Sequence, residues 1–140
     1  MIDKNTAVLA CVCKTVSHEL ELYLKSDIYF DKKVITSMKT IKTLCRNWFN
    51  QSGLKVDNGI ISATENRLKQ TFLKRKSGTE EYSIPKNDLR PIMMMDLSQS
   101  YIDDNLPKNK NLSKVMRTKL KVINTRLFNL LKYIEEELKG

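Results

Sequence analysis

The sequence has few of the residues that interrupt helices or cross-link chains. Its 140 residues include four glycines, three prolines and three cysteines. So little glycine and proline excludes a turn-rich β-sandwich, a collagen-like chain and a disordered low-complexity chain. An odd, small number of cysteines argues against a disulfide framework and favours an intracellular compartment, cytoplasmic or nuclear. No apolar run approaches the ~18 residues of a membrane-spanning helix.

Catalytic and metal-binding motifs are also missing from the sequence. Phosphate-cradling glycine loops, zinc-protease motifs and nucleophile elbows do not occur. The only histidine, His18, falls on a predicted amphipathic helix, where we expect a surface or boundary residue. Cys11, Cys13 and Cys45 are zinc donors in type, but thiols two residues apart on a helix point about 200° apart. We therefore expect buried cysteines at helix contacts and a non-enzymatic protein with no metal and no cofactor.

The spacing of apolar residues predicts an all-α protein. Apolar side chains recur every three or four residues in five segments, at about residues 6–25, 32–52, 62–76, 88–104 and 112–138. The last segment predicts an amphipathic helix about 40 Å long. Hydrophobic residues make up 41% of the chain, which is enough for a core, and the length is typical of one domain. The prediction is a single-domain bundle over residues 1–140, with about five helices and a long C-terminal helix.

Several residues have the properties of helix ends. Asn5 or Thr6 and Asp31 are candidate N-caps for the first two helices. Gly53 can end the second helix in the left-handed conformation. Pro91 is predicted to lie in the first turn of the fourth helix, where a missing amide hydrogen costs little.

The charge is positive and unevenly distributed. The net charge is +9, and lysine, asparagine and isoleucine far outnumber alanine. That composition is typical of AT-rich genomes, such as those of many large DNA viruses, phages and low-GC microbes. By segment, the net charge is −1 over residues 1–30, +8 over 31–76, −4 over 77–107 and +6 over 108–140. Such asymmetry suggests one surface that faces a polyanion and an opposite pole.

Basic residues at helical spacing are the strongest functional signal. The candidate phosphate-binding residues, which form stripes on the second, third and fifth predicted helices, are Lys39, Lys42, Arg46, Arg67, Lys74, Arg75, Lys76, Lys114, Arg117 and Lys121. Neutralising phosphates releases counterions, which is the sequence-independent part of nucleic-acid binding. Six arginines are few for base readout, so we expect non-specific or shape-based binding. The predicted function is nucleic-acid binding, DNA or RNA, as an accessory to transcription, replication or packaging. Ordinary solvated faces of a lysine-rich helical protein would give the same pattern.

A helical protein-protein interaction module is the alternative hypothesis, for example a viral or phage modulator of a host factor. Met93–Met95 resembles an adaptable Met-rich surface, but consecutive residues point in different directions, so we expect core filling with one exposed Met. The apolar stripe of the last helix could close a homodimer. A four-helix cytokine and binding to anionic lipid fit only the size and the charge.

Overall fold

Four helices make up most of the structure, which is a computed structural model that describes residues 4–53, 59, 63, 66, 67, 70 and 86–139. The helices are α1 (Lys4–Lys25), α2 (Lys32–Gln51), α3 (Lys86–Asn105) and α4 (Lys114–Lys139). The described residues contain no strand. The predicted all-α class is confirmed, and the 26-residue α4 is the longest of the four helices.

The predicted third helix is described only in part. Of residues 62–76, the structure describes Ala63, Asn66, Arg67 and Gln70, and all four are helical. The rest of that predicted helix lies outside the described residues. The residues that the structure describes therefore form four helices with defined bounds, where the sequence predicts about five.

The four helices occupy the corners of a four-sided bundle. Helix α1 packs against α2 and α3, and α4 packs against the same two helices. Within the described residues, α1 and α4 have no Cα atoms within 8 Å of each other, and neither do α2 and α3. The order around the bundle is thus α1, α2, α4, α3. It follows that the face formed by α1 and α2 is opposite the face formed by α3 and α4.

Two hydrogen bonds between distant parts of the chain show in which direction the helices run. Asn109, just after α3, donates a 2.9 Å hydrogen bond to Thr6 at the start of α1. The indole of Trp48, near the end of α2, donates a 2.9 Å hydrogen bond to the carbonyl of Met116, near the start of α4. Neighbouring helices are therefore antiparallel. As a consequence, α2 ends and α3 begins at opposite ends of the bundle.

The predicted apolar stripes form the core. On α2 the buried residues are Val34, Met38, Ile41, Cys45 and Trp48. On α4 they include Leu120, Ile123, Leu127, Leu130 and Ile134. Both stripes repeat every three or four residues, which places their members on one side of each helix. This part of the sequence prediction is confirmed.

The helix ends differ in part from the prediction. Helix α1 begins before Asn5 and Thr6, so neither residue is its N-cap, and the Thr6 hydroxyl instead accepts the hydrogen bond from Asn109. Asp31 is at the N-cap position of α2, but its side chain makes no capping hydrogen bond. Gly53 has a φ of 71°, which confirms the left-handed ending; a side chain with a Cβ would be strained there.

Pro91 lies inside α3 and not in its first turn, because α3 begins at Lys86. A proline within a helix disturbs the backbone hydrogen bonds of the turn before it. The amide of the next residue, Ile92, donates a 3.0 Å hydrogen bond to the hydroxyl of Tyr23 on α1. A side chain from the neighbouring helix thus binds a backbone amide next to the proline.

The three consecutive methionines are all buried, so the expectation of one exposed Met is wrong. Met93, Met94 and Met95 are 7%, 2% and 0% exposed. The reason is that α3 buries two of its faces. Met95 belongs to the main core, whereas Met94 packs with Leu97 in a separate small cluster. This segment offers no Met-rich surface to a partner.

Candidate functional site

A groove of about 420 Å³ runs between α1 and α2 on their solvent side. We call it the α1–α2 groove, and the residues that line it are Lys14, Ser17, His18, Glu21, Lys42, Arg46, Phe49 and Asn50. On each helix these positions are three or four residues apart or adjacent, so each helix contributes a single edge. His18 is exposed, as expected from the sequence. Because the helices are antiparallel, the two edges face each other along their length.

One carboxylate lies in this groove, and lysines surround it. The Glu21 carboxylate forms ion pairs with Lys42 across the groove and with Lys25 one turn along α1, the latter at 3.2 Å. The hydrogen bond from Lys42, and then that from Lys25, lower the pKa of Glu21 below its ordinary value. Glu21 is therefore ionised at neutral pH and compensates part of the positive charge.

Among the residues that the structure describes, the other cations of this region have no acidic partner. Lys39 and Arg46 are exposed on α2 near Lys42, about one turn before it and one turn after it. Lys14 is exposed on α1, across the groove from these residues. None of Lys14, Lys39 and Arg46 has a carboxylate within 4.0 Å among the residues that the structure describes. Lys14, Lys39, Lys42 and Arg46 together form a surface that we call the basic edge, and its positive charge favours anions.

An aromatic ring lies in the groove beside these cations. The ammonium of Lys14 is 5.3 Å from the ring centroid of Phe49. Phe49 is half-buried and packs partly against the core. Since a charged ammonium lies over the ring, that face of Phe49 is directed into the groove and not into the core.

Some of the predicted phosphate-binding residues come together, and others do not. Lys39, Lys42 and Arg46 all belong to the basic edge. Arg117 is half-buried, and its guanidinium donates hydrogen bonds to the backbone carbonyls of Leu106, at 2.8 Å, and of Asn109. Arg117 thus holds the connection between α3 and α4.

The remaining predicted residues lie away from the groove or outside the described residues. Lys114 and Lys121 are exposed on α4, the helix diagonally opposite α1. Arg67 is near Tyr101 on α3: burial raises the pKa of Tyr101, and the positive charge of Arg67 opposes that rise. Lys74, Arg75 and Lys76 are not among the described residues. Within the described residues, the basic stripes predicted on the second and fifth helices therefore do not form one face.

Of the eight residues that line the groove, the sequence predicted only Lys42 and Arg46 as binding residues. The sequence did not indicate a binding role for Phe49, nor did it connect Lys14 with the basic stripe. The signal was available in α1, where Lys14, Ser17, His18 and Glu21 are polar at helical spacing. Only the pairing of α1 with α2 brings that polar edge against Lys42 and Arg46.

None of the three cysteines lines the groove. All three are buried, as predicted. A hydrogen bond with the Cys45 thiol, together with burial, raises the pKa of Cys13 well above its ordinary value. A protonated thiol is a poor nucleophile and a poor metal ligand. In the part of the chain that the structure describes, no three His, Cys, Asp or Glu side chains are grouped so as to hold a metal ion.

Neither similarity to known proteins nor the hydropathy of the described helices indicates a function. Comparison of the chain with known protein families, with curated proteins and with solved structures gave no match. Within the described ranges, no helix combines the length and the apolar character needed to cross a membrane. Function is therefore inferred from the chemistry of the groove.

Proposed function

We propose that this protein binds nucleic acid through the basic edge, mainly by phosphate contacts and without reading the base sequence. The observation that supports the proposal is that three cations from two helices, Lys14, Lys42 and Arg46, line one concave groove. Lys39 is exposed about one turn before Lys42 on α2. Lys14, Lys39 and Arg46 are free of acidic partners in the described structure, so they keep their full charge for a ligand. A net charge of +9 adds long-range attraction to a polyanion.

The residue types fit phosphates better than bases. Lysine is a compact point charge that binds phosphate oxygens from many directions, and Arg46 adds a planar fork that can contact two oxygens. Base readout generally uses several arginine, asparagine or glutamine side chains directed at base edges. Binding of this kind suits an accessory protein of transcription, replication or packaging.

Salt dependence tests the proposal directly. Labelled duplex DNA and labelled single-stranded RNA are titrated with the protein at about 50 and 200 mM salt. If four phosphates of a duplex are neutralised, affinity should fall by about 100-fold between these concentrations. Weak binding to both ligands at the lower salt concentration would overturn the proposal.

Charge reversal locates the binding surface. The double variant Lys39→Glu/Arg46→Glu should lose most of its affinity and have a flatter salt dependence. The matched control, Lys114→Glu/Lys121→Glu, changes the net charge by the same amount on α4 and should retain most of the affinity. Circular dichroism checks that both variants remain folded. Equal losses in the two variants would mean that overall charge, and not the basic edge, drives binding.

Self-association is a second candidate function, and exposed apolar residues on α4 favour it. Val115, Val122 and Tyr133 are 63%, 44% and 60% exposed. Spacings of seven and eleven residues place them on one stripe of the helix. Residues 114–126 contain five basic and no acidic residues, whereas residues 127–139 contain two basic and three acidic residues. Antiparallel pairing of two copies of α4 would place these unlike halves together.

Sedimentation velocity at increasing protein concentration tests this second function. Dimers should form in the native chain and be lost in Val122→Glu. Phe128 is also exposed on α4 but lies about 120° away around the helix, so Phe128→Glu is the matched control and should still dimerise. A monomer at every concentration would exclude self-association through α4.

A further inference from the structure

We propose that the ligand of the α1–α2 groove is a single strand, and that one of its bases stacks on Phe49. This inference rests on the proposed function, because it assigns the strand type and the contact to the same groove. Phe49 would be the stacking residue, and the basic edge would hold the adjacent phosphates.

The shape of the groove favours an unpaired nucleotide. It is a concave space of about 420 Å³ between two helices, and an aromatic ring forms part of its wall. In a duplex the faces of each base are covered by the neighbouring base pairs, so no face is free for Phe49. In a single strand the bases can turn outward and stack on aromatic side chains. A duplex could touch only the rim of the groove.

The contact between Lys14 and Phe49 indicates how the ring is used. The ammonium over the ring shows that this face can hold a ligand group, since cations and bases both bind the face of an aromatic ring. The Lys14 side chain is exposed, and a lysine side chain has a flexible four-carbon stem. Its ammonium can therefore move from the ring to a phosphate when a base binds. The other side of Phe49 packs partly against the core, which leaves one face for one base.

The neighbours of Phe49 supply the other contacts that a nucleotide needs. Arg46 precedes Phe49 by three residues and lines the same groove, so a phosphate on Arg46 and a base on Phe49 can belong to neighbouring parts of one strand. Asn50 and Ser17 line the groove beside the ring and can form hydrogen bonds with base edges. An amide and a hydroxyl each donate and accept, so they tolerate every base.

Substitution at Phe49 separates stacking from charge. Phe49→Leu keeps an apolar side chain and removes the ring, and Phe49→Tyr keeps the ring. The probe is a 12-nucleotide single strand that contains 2-aminopurine, with its duplex as the second ligand. Thermal unfolding confirms that both variants fold. We expect Phe49→Leu to bind the single strand about tenfold more weakly, to bind the duplex with unchanged affinity, and to lose quenching of 2-aminopurine fluorescence. Phe49→Tyr should behave as the native chain.

The outcomes distinguish this inference from the proposed function. If Phe49→Leu weakens neither ligand, or weakens both equally, stacking on Phe49 is wrong. Phosphate binding would still stand if Lys39→Glu/Arg46→Glu lost affinity in the same assay. If that charge-reversed variant bound both ligands as the native chain does, the proposed function itself would be wrong, whatever Phe49 does.

Discussion

The basic edge and the outer face of α4 are both rich in cations, but they differ in arrangement. On the basic edge, cations from two antiparallel helices meet around a concave groove. On α4, Lys114 and Lys121 project from one convex helix, and Arg117 is used within the fold. The comparison teaches that the number of positive charges on a helix does not define a binding surface. A binding surface is defined by positive charges that converge and that have no partner within the protein.

Two arginines make this difference concrete. Arg46 and Arg117 both follow a helical pattern of basic residues in the sequence. In the structure Arg46 is exposed and has no acidic partner among the described residues, whereas Arg117 is half-buried and binds two backbone carbonyls. The first is available to a ligand, and the second stabilises the connection between α3 and α4.

The largest expected effect is on stability and comes from Arg117. The substitution Arg117→Met removes the charged hydrogen bonds to the carbonyls of Leu106 and Asn109. Such bonds contribute about 1.5–3 kcal/mol each. Because Arg117 is only half-buried, the two together should lower the free energy of unfolding in urea by about 3 kcal/mol, the lower end of that range. Affinity for nucleic acid should stay the same under conditions where the variant is folded.

Arg126 provides the control for that substitution. It is exposed on the same helix, so Arg126→Met should change the free energy of unfolding by less than about 0.5 kcal/mol. A result in which Arg117→Met kept its stability and lost affinity would place Arg117 in the binding surface. The contrast between α4 and the basic edge would then be wrong.

The fold class was predictable from the sequence, but the candidate site was only partly so. Apolar residues every three or four positions determine which side of each helix is buried, and Trp48 and Leu127 lie in the core as that spacing predicts. The spacing cannot show which helices become neighbours. The meeting of Lys14 with Phe49 depends on the pairing of α1 with α2. The role of Arg117 depends on carbonyls 8 and 11 residues earlier in the chain, which a helical pattern does not include.

An intermediate effect is expected from Glu21, the only carboxylate that lines the groove among the residues that the structure describes. In Glu21→Gln the negative charge is lost, and Lys42 and Lys25 become available to phosphates. Affinity at about 50 mM salt should therefore rise about three- to tenfold. Glu136→Gln, at the exposed end of α4, removes the same charge and should change affinity by less than about twofold. Weaker binding by Glu21→Gln would mean that Glu21 positions Lys42 for the ligand.

The pH dependence of Glu21 follows from the direction of its pKa shift. Because the folded protein lowers this pKa, the ion pairs stabilise the fold fully above the ordinary value of 4.5. That contribution is lost as the pH falls through the lowered pKa. The same protonation removes the negative charge from the groove. The affinity advantage of Glu21→Gln over the native chain should therefore disappear at a pH below the pKa of Glu21 in the folded protein, provided that both remain folded.

The smallest effect is expected from Lys121 on α4. The axes of neighbouring helices are about 8–10 Å apart, and α4 is diagonal to α1, so Lys121 is farther from Lys14 than the Debye length of about 10 Å at 0.1 M salt. Lys121→Gln should therefore change affinity by less than about twofold at 0.1 M salt, whereas Lys39→Gln should weaken binding several-fold. At about 0.01 M salt the Debye length grows to about 30 Å, and the two variants should become more alike. If they were equally weak already at 0.1 M salt, the nucleic acid would contact both faces, and the difference between the basic edge and α4 would not determine where it binds.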